Sequence, residues 1–64
     1  DILGIFATEP HKTYMANTYG NLGNVYKQQG NKIEAKSYYM MSLELFIQLN
    51  NPNSNTVQTL LDSL

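Results

Sequence analysis

The chain has 64 residues, a formal net charge of −1 and no cysteine. Its length allows one small domain at most, and without cysteine there is neither a disulfide nor a thiolate metal site. Four lysines and no arginine cannot form the basic stripe that phosphates require, so we expect no nucleic-acid partner. No apolar run approaches the roughly 20 residues that cross a bilayer, so we expect no membrane partner.

The opening segment Ile2–Phe6 is apolar but short, and Gly4 interrupts it. It is either the last turns of a preceding helix or a frayed end, so residues 1–9 are separated from the predicted helices. Because the chain starts at Asp1 without a methionine, we expect an excised piece of a longer protein. A cytoplasmic (intracellular) location is the default expectation.

A first helix is predicted from Pro10 to Gln29. Thr8 or Glu9 can form its N-terminal boundary, and proline suits the first turn because its missing N–H is not needed there. Gly30 supplies a left-handed stop. The apolar side chains recur at helical spacing and so share one stripe: Met15, Tyr19, Leu22 and Tyr26, flanked by Tyr14 and Val25.

A second helix is predicted to follow Asn31 and to end at residues 48–50, before Pro52. Asn31 is the expected N-cap, with Glu34 reaching back in a variant of the capping box. The turn between the helices is short, which places them side by side and antiparallel. The inward positions repeat at spacings of three and four: Ala35, Tyr38, Tyr39, Ser42, Leu45, Phe46 and Leu49.

A third, short helix is predicted from about Pro52 to Ser63. Pro52 follows Pro10 by 42 positions, and the same offset pairs residues of like type, which suggests an internal repeat. The pairs are Met15 with Val57, Tyr19 with Leu61 and Leu22 with Leu64.

The stretch Tyr19–Leu43 resembles one unit of the tetratricopeptide repeat (TPR) family, a helix–turn–helix. The period of 42 positions is similar to that of the long-helix variant found in kinesin light chains and many bacterial regulatory arrays. Ser42 departs from the pattern, which prefers alanine there, and Ile47 stands where the short form has proline. The matching positions are Tyr19, Leu22, Gly23, Tyr26, Gly30, Ala35, Tyr39 and Leu43.

The resemblance implies an all-α fold, a fragment of an α–α superhelix. Residues 10–51 would form one complete helical hairpin, and residues 52–64 the first helix of a second repeat or a capping helix. In TPR proteins the polar face of the first helix lines a concave groove. In the long-helix variants, asparagines at positions matching Asn21 and Asn24 resemble those that clamp the main chain of a ligand.

Gly23 lies inside the first helix, where glycine costs about 1 kcal/mol relative to alanine. A close approach of the second helix would compensate, with Ala35 as the small residue that faces it; the alternative is a tolerated surface glycine. Gly20, one turn earlier, either makes room for something lying on the helix or has no role. Tyr26 and Tyr39 are expected core aromatics whose hydroxyl groups reach the rim.

The polar face of the first helix carries the candidate binding residues. Each asparagine there costs roughly 0.6 kcal/mol relative to alanine, yet a carboxamide offers both the donor and the acceptor that grip an extended peptide backbone. The alternative is a solvated face in an asparagine-rich chain. Alanine at Asn21 and Asn24 should raise helix stability and weaken partner binding. The candidates are Asn17, Gly20, Asn21, Asn24, Lys27 and Gln28.

The second helix is apolar on more sides than one partner can cover. Such surfaces mark association sites, so we expect the isolated chain to self-associate, either directly or by exchanging its terminal helix. The residues concerned are Tyr38, Met40, Met41, Leu43 and Ile47.

Three classes of function follow. The first is a protein–protein interaction scaffold that presents a groove to a protein or extended peptide. The second is a self-assembly module that uses the apolar flanks of the second helix. An enzyme is not expected, because one histidine and five separated acids form no nucleophile–base pair, paired carboxylates or metal cluster. We therefore expect no catalytic residue, metal site or cofactor.

Overall fold

The computed structural model describes residues 9–64, which form three helices joined by tight turns. Helix α1 spans Glu9–Gln28, α2 spans Lys32–Gln48 and α3 spans Asn53–Asp62. The described part of the chain contains no strand, so the predicted all-α fold is confirmed. The three predicted helices are present, with ends displaced by about one residue. The prediction for residues 1–9 lies outside the described residues, apart from Glu9, which begins α1.

The turn after α1 contains Gly30, whose φ of +82° is the predicted left-handed stop. The N–H of Asn31 then donates to the carbonyl of Tyr26 at 2.9 Å. Asn31 holds the N-cap position of α2, but its side chain makes no capping hydrogen bond. The predicted capping box is therefore wrong, because the N–H that Glu34 would accept from is already used to close α1.

The turn after α2 repeats this arrangement with a different residue. Asn50 takes the left-handed position with φ of +53°, and the N–H of Asn51 donates to the carbonyl of Phe46 at 2.9 Å. Asparagine is the residue after glycine that most readily adopts this conformation. Both turns reverse the chain within a few residues, so each helix returns along the one before it.

Helices α1 and α2 meet along a stripe of small residues. Ala16 at the start of the stripe receives a hydrogen bond on its carbonyl from the Ser42 hydroxyl, at 2.7 Å. Near the end of the stripe, a Cβ atom built on Gly23 would lie 2.6 Å from two carbons of the Tyr39 ring. The earlier residue of α1 touches the later residue of α2, so the two helices are antiparallel, as predicted.

The close approach predicted at Gly23 is present, but the residue that faces it is not Ala35. The three atoms nearest to the missing side chain all belong to the ring of Tyr39, and Tyr39 is fully buried. Ala35 is also fully buried, one turn nearer the start of α2. The space left by the glycine is thus filled by an aromatic ring and not by a second small side chain.

Helix α3 packs on α2, which therefore lies between the other two helices. Lys27 near the end of α1 donates to the hydroxyl of Ser63, which follows α3, at 3.3 Å. Because the C-terminal ends of α1 and α3 meet there, these two helices run in the same direction. The buried core comprises Ala16, Ala35, Tyr39, Ser42, Phe46 and Val57.

A row of tyrosines covers one edge of the α1–α2 contact. The ring of Tyr38 stacks on Tyr26 with a centroid separation of 5.4 Å and on Tyr19 with a separation of 6.2 Å. Aromatic pairs in this range contribute roughly 0.5–1.5 kcal/mol beyond their burial. Among the residues that match the TPR spacing, Tyr19, Leu22, Tyr26 and Leu43 are half-buried, Gly30 is exposed, and Gly23, Ala35 and Tyr39 are buried.

The two glycines inside α1 should respond in opposite ways to alanine. At Gly23 the new methyl group would lie 2.6 Å from two carbons of the Tyr39 ring. Overpacking costs about 1–3 kcal/mol, and an overlap this close falls at the upper end, so the cost exceeds the roughly 1 kcal/mol gained in helix propensity. At Gly20 the methyl group would lie 3.4 Å from the Ser42 hydroxyl, which is an ordinary contact. The gain in helix propensity is therefore not offset there. Urea unfolding followed by circular dichroism should show Gly23→Ala destabilised and Gly20→Ala stabilised. Equal effects would contradict the close contact.

Candidate functional site

A cleft of about 140 Å³ opens between the three helices. Its floor is formed by buried side chains from all of them, with Ala16 from α1, Phe46 from α2 and Val57 from α3. The helices α1 and α3 contribute the walls. Because α3 packs on α2 and hardly on α1, the two walls stand apart and the cleft between them opens to solvent.

The wall contributed by α1 contains four of the six candidate residues: Asn17, Gly20, Asn21 and Asn24. They share one face because they lie three or four positions apart. The other two candidates do not line the cleft. Lys27 instead bonds Ser63, and Gln28 lies exposed at the end of α1.

The wall contributed by α3 was missed by the sequence analysis. Asn53, Thr56 and Leu60 line it, at spacings of three and four positions. The spacing shows from the sequence that these residues share one face of α3. It does not show that this face lies opposite α1, which depends on how the helices pack. Among the described residues that line the cleft, none is ionisable, so the site offers amides, hydroxyls and apolar surface.

Gly20 lies where the wall of the cleft meets the contact between α1 and α2. It lies half-buried between the cleft and α2, where its missing side chain faces the Ser42 hydroxyl. That hydroxyl donates to the carbonyl of Ala16. A methyl group at residue 20 would make only an ordinary contact with this hydroxyl, so the serine bridge does not require the glycine. The missing side chain instead leaves the wall of the cleft lower at this point.

Asn24 is connected to the core through Tyr39. The Tyr39 ring lies against Gly23, and its hydroxyl donates a hydrogen bond to Oδ1 of Asn24. Burial raises the pKa of the Tyr39 hydroxyl above its ordinary value, because the charged phenolate is poorly solvated there. Of the two tyrosines predicted as core aromatics, Tyr39 is thus buried, whereas Tyr26 is half-buried and stacked on Tyr38.

This hydrogen bond changes the expected effect of removing the asparagines. Alanine at Asn21 should still stabilise α1, because Asn21 is exposed and makes no side-chain hydrogen bond within residues 9–64. Alanine at Asn24 would leave the hydroxyl of a buried tyrosine without its acceptor, at a cost of about 1–3 kcal/mol. The expected gain in stability therefore no longer applies to Asn24.

The outer surface of α2 exposes large apolar side chains, but fewer than predicted. Met40 is 53% exposed, Met41 38% and Ile47 59%. Leu43 packs partly against the core, and Tyr38 is occupied by the tyrosine stack. The three exposed residues border a shallow depression of about 470 Å³, which we call the methionine surface.

No protein-family model, curated protein or solved structure matches this chain. Within the part of the chain that the structure describes, no three His, Cys, Asp or Glu side chains come together as a metal site. No helix in the same residues is long and apolar enough to span a membrane.

The raised pKa of Tyr39 predicts a loss of stability in alkali. The folded chain holds the Tyr39 proton more tightly than the unfolded chain does. The protonated hydroxyl therefore makes its full contribution to stability below about pH 10, the ordinary tyrosine pKa. That contribution is lost as the pH rises through the pKa of the folded state. In urea unfolding at pH 7, 9 and 11, the free energy of unfolding should fall more steeply with pH for wild type than for Tyr39→Phe. At pH 7 the variant should be less stable by about 0.5–1.5 kcal/mol. Parallel pH profiles would contradict the buried hydroxyl.

Proposed function

We propose that the chain is an interaction module that binds an extended peptide segment in the cleft between α1 and α3. The observation that carries the proposal is the presence of side-chain amides on both walls, from Asn17, Asn21 and Asn24 on one side and Asn53 on the other. An extended backbone displays N–H and C=O groups along both edges, and carboxamides can pair with either.

The floor and the charge of the cleft support a peptide over other ligands. The half-buried Leu60 lines the cleft above the nearly buried Phe46 and Val57. This apolar base suits a single apolar side chain projecting from the bound backbone. The cleft has no ionisable side chain among its described lining residues, which disfavours nucleotides, phosphates and strongly charged peptides. A neutral segment with an apolar residue at its centre fits these properties best.

We further propose that the chain belongs to the TPR type of helical repeat. Support comes from the antiparallel hairpin with its small-residue contact at Gly23, and from the third helix that runs parallel to the first. In that arrangement the cleft corresponds to the concave groove between the first helices of successive units. Ser42, which departs from the TPR pattern, is accommodated because its hydroxyl bonds the carbonyl of Ala16.

Peptide selection tests the proposed function. A display library of random 12-residue peptides is selected on the 64-residue chain, and the tightest binder is measured by calorimetry. Asn21→Ala should weaken its binding about tenfold, which corresponds to 1.4 kcal/mol, because a main-chain contact is lost. Asn55→Ala is the matched control, since this exposed residue of α3 does not line the cleft. Equal affinities for both variants would contradict the cleft as the binding site.

The methionine surface supports self-assembly as a second candidate function. Unbranched, adaptable methionine side chains suit contact surfaces, and exposed apolar patches of this kind mark association sites. Here Met40, Met41 and Ile47 lie on the side of α2 that neither α1 nor α3 covers. A second copy of the chain would bury this surface, and the cleft would then have no part in the function.

Sedimentation equilibrium at tens of micromolar distinguishes this alternative. If the methionine surface joins copies, wild type should have the mass of a dimer or larger, and Ile47→Gln should shift it towards the monomer. Ile33→Gln is the control, because Ile33 is also exposed, at 82%, but lies at the other end of α2. A monomeric wild type would exclude self-assembly at this concentration.

A further inference from the structure

We propose that Tyr39 is a positioning residue that fixes the Asn24 carboxamide, so that Asn24 presents its N–H donors to a main-chain carbonyl of the bound segment. This inference rests on the proposed function, because it specifies the group that one wall of the cleft recognises. It arises from the hydrogen bond between the two side chains and from their places in the fold. Tyr39 lies in the core, whereas Asn24 lies on the cleft.

The chemistry of the two groups determines what remains for a ligand. An asparagine side chain has one carbonyl acceptor and one NH₂ group with two donors. The Tyr39 hydroxyl donates to the carbonyl oxygen of Asn24, so the donors are the part still available. A phenol with a raised pKa keeps its proton throughout the neutral range, and it therefore remains a donor.

The neighbouring asparagines have no such support. Within residues 9–64, Asn17 and Asn21 make no side-chain hydrogen bond, and both are exposed on the same wall. Their carboxamides can turn to offer either a donor or an acceptor. Asn24 therefore differs from them in being held in one orientation before a ligand arrives, which reduces the entropy lost on binding.

Gly23 makes the positioning possible. The Tyr39 ring lies where the side chain of residue 23 would otherwise be. From there its hydroxyl reaches Asn24, the next residue of α1. The contact between the helices and the orientation of a cleft residue thus depend on the same ring. A change in helix packing at this point would also change the cleft.

The orientation of Asn24 can be tested without a ligand. Side-chain NH₂ groups of the ¹⁵N-labelled chain are compared by heteronuclear NOE in wild type and Tyr39→Phe, which keeps the ring in the core. In wild type the Asn24 group should be more rigid than that of Asn21. In the variant it should become as mobile as Asn21, while the backbone spectrum stays folded. Equal mobility of Asn24 in the two proteins would overturn the positioning role.

The recognised group is tested with the tightest 12-residue peptide from the selection described above. Asn24→Asp still accepts from Tyr39 but has no N–H to give, so binding should weaken at least tenfold while the midpoint of thermal unfolding is kept. Asn55→Asp controls for the added charge and should bind like wild type. Tyr39→Phe should weaken binding about three- to tenfold through loss of positioning.

The outcomes separate the inference from the proposed function. If Asn21→Ala weakens binding and Asn24→Asp does not, the peptide uses the cleft but does not take a donor from Asn24, and the inference is overturned alone. The same holds if Asn24→Asp weakens binding and Tyr39→Phe leaves it unchanged. If both asparagine variants bind like wild type, the cleft function and the inference fail together.

Discussion

The contact between Gly23 and the ring of Tyr39 is the constraint on which the rest of this structure depends. A side chain at residue 23 would overlap that ring, at 2.6 Å from two of its carbons, so glycine sets how closely α1 and α2 approach. The ring closes the core on one side and ends in a hydroxyl bonded to Asn24 on the other. One residue thus links the packing of the hairpin to the shape and polarity of the cleft.

Around this contact, α1 has three faces with different surroundings. The stripe of Ala16, Gly20 and Gly23 meets α2. About 100° of rotation per residue places the stacked tyrosines on one side of this stripe and the asparagine wall on the other. Glycine and asparagine both weaken an isolated helix, so α1 depends on its contacts with α2 for stability. A helix of this composition is stable only when its faces make contacts that offset its low helix propensity.

Helix positions could be predicted from the sequence because periodicity and turn residues act locally. Gly30 and the Asn50–Pro52 segment indicated the two turns correctly. The errors involve contacts between elements: Asn31 cannot form a capping box because its N–H closes α1, and Tyr39, not Ala35, faces Gly23. The latter depends on the rotation and axial shift of one helix against another, which residue spacing leaves open. The α3 wall and the Tyr39–Asn24 bond were missed for the same reason.

A nuclear Overhauser experiment on the folded chain tests the central contact most directly. If the Tyr39 ring covers residue 23, the α-protons of Gly23 should give strong cross-peaks to the ring protons of Tyr39, and the ring current should displace their resonances from ordinary glycine values. Absence of these cross-peaks in a folded, helical chain would contradict the account. So would equivalent cross-peaks from Gly23 to the methyl group of Ala35 in place of the ring.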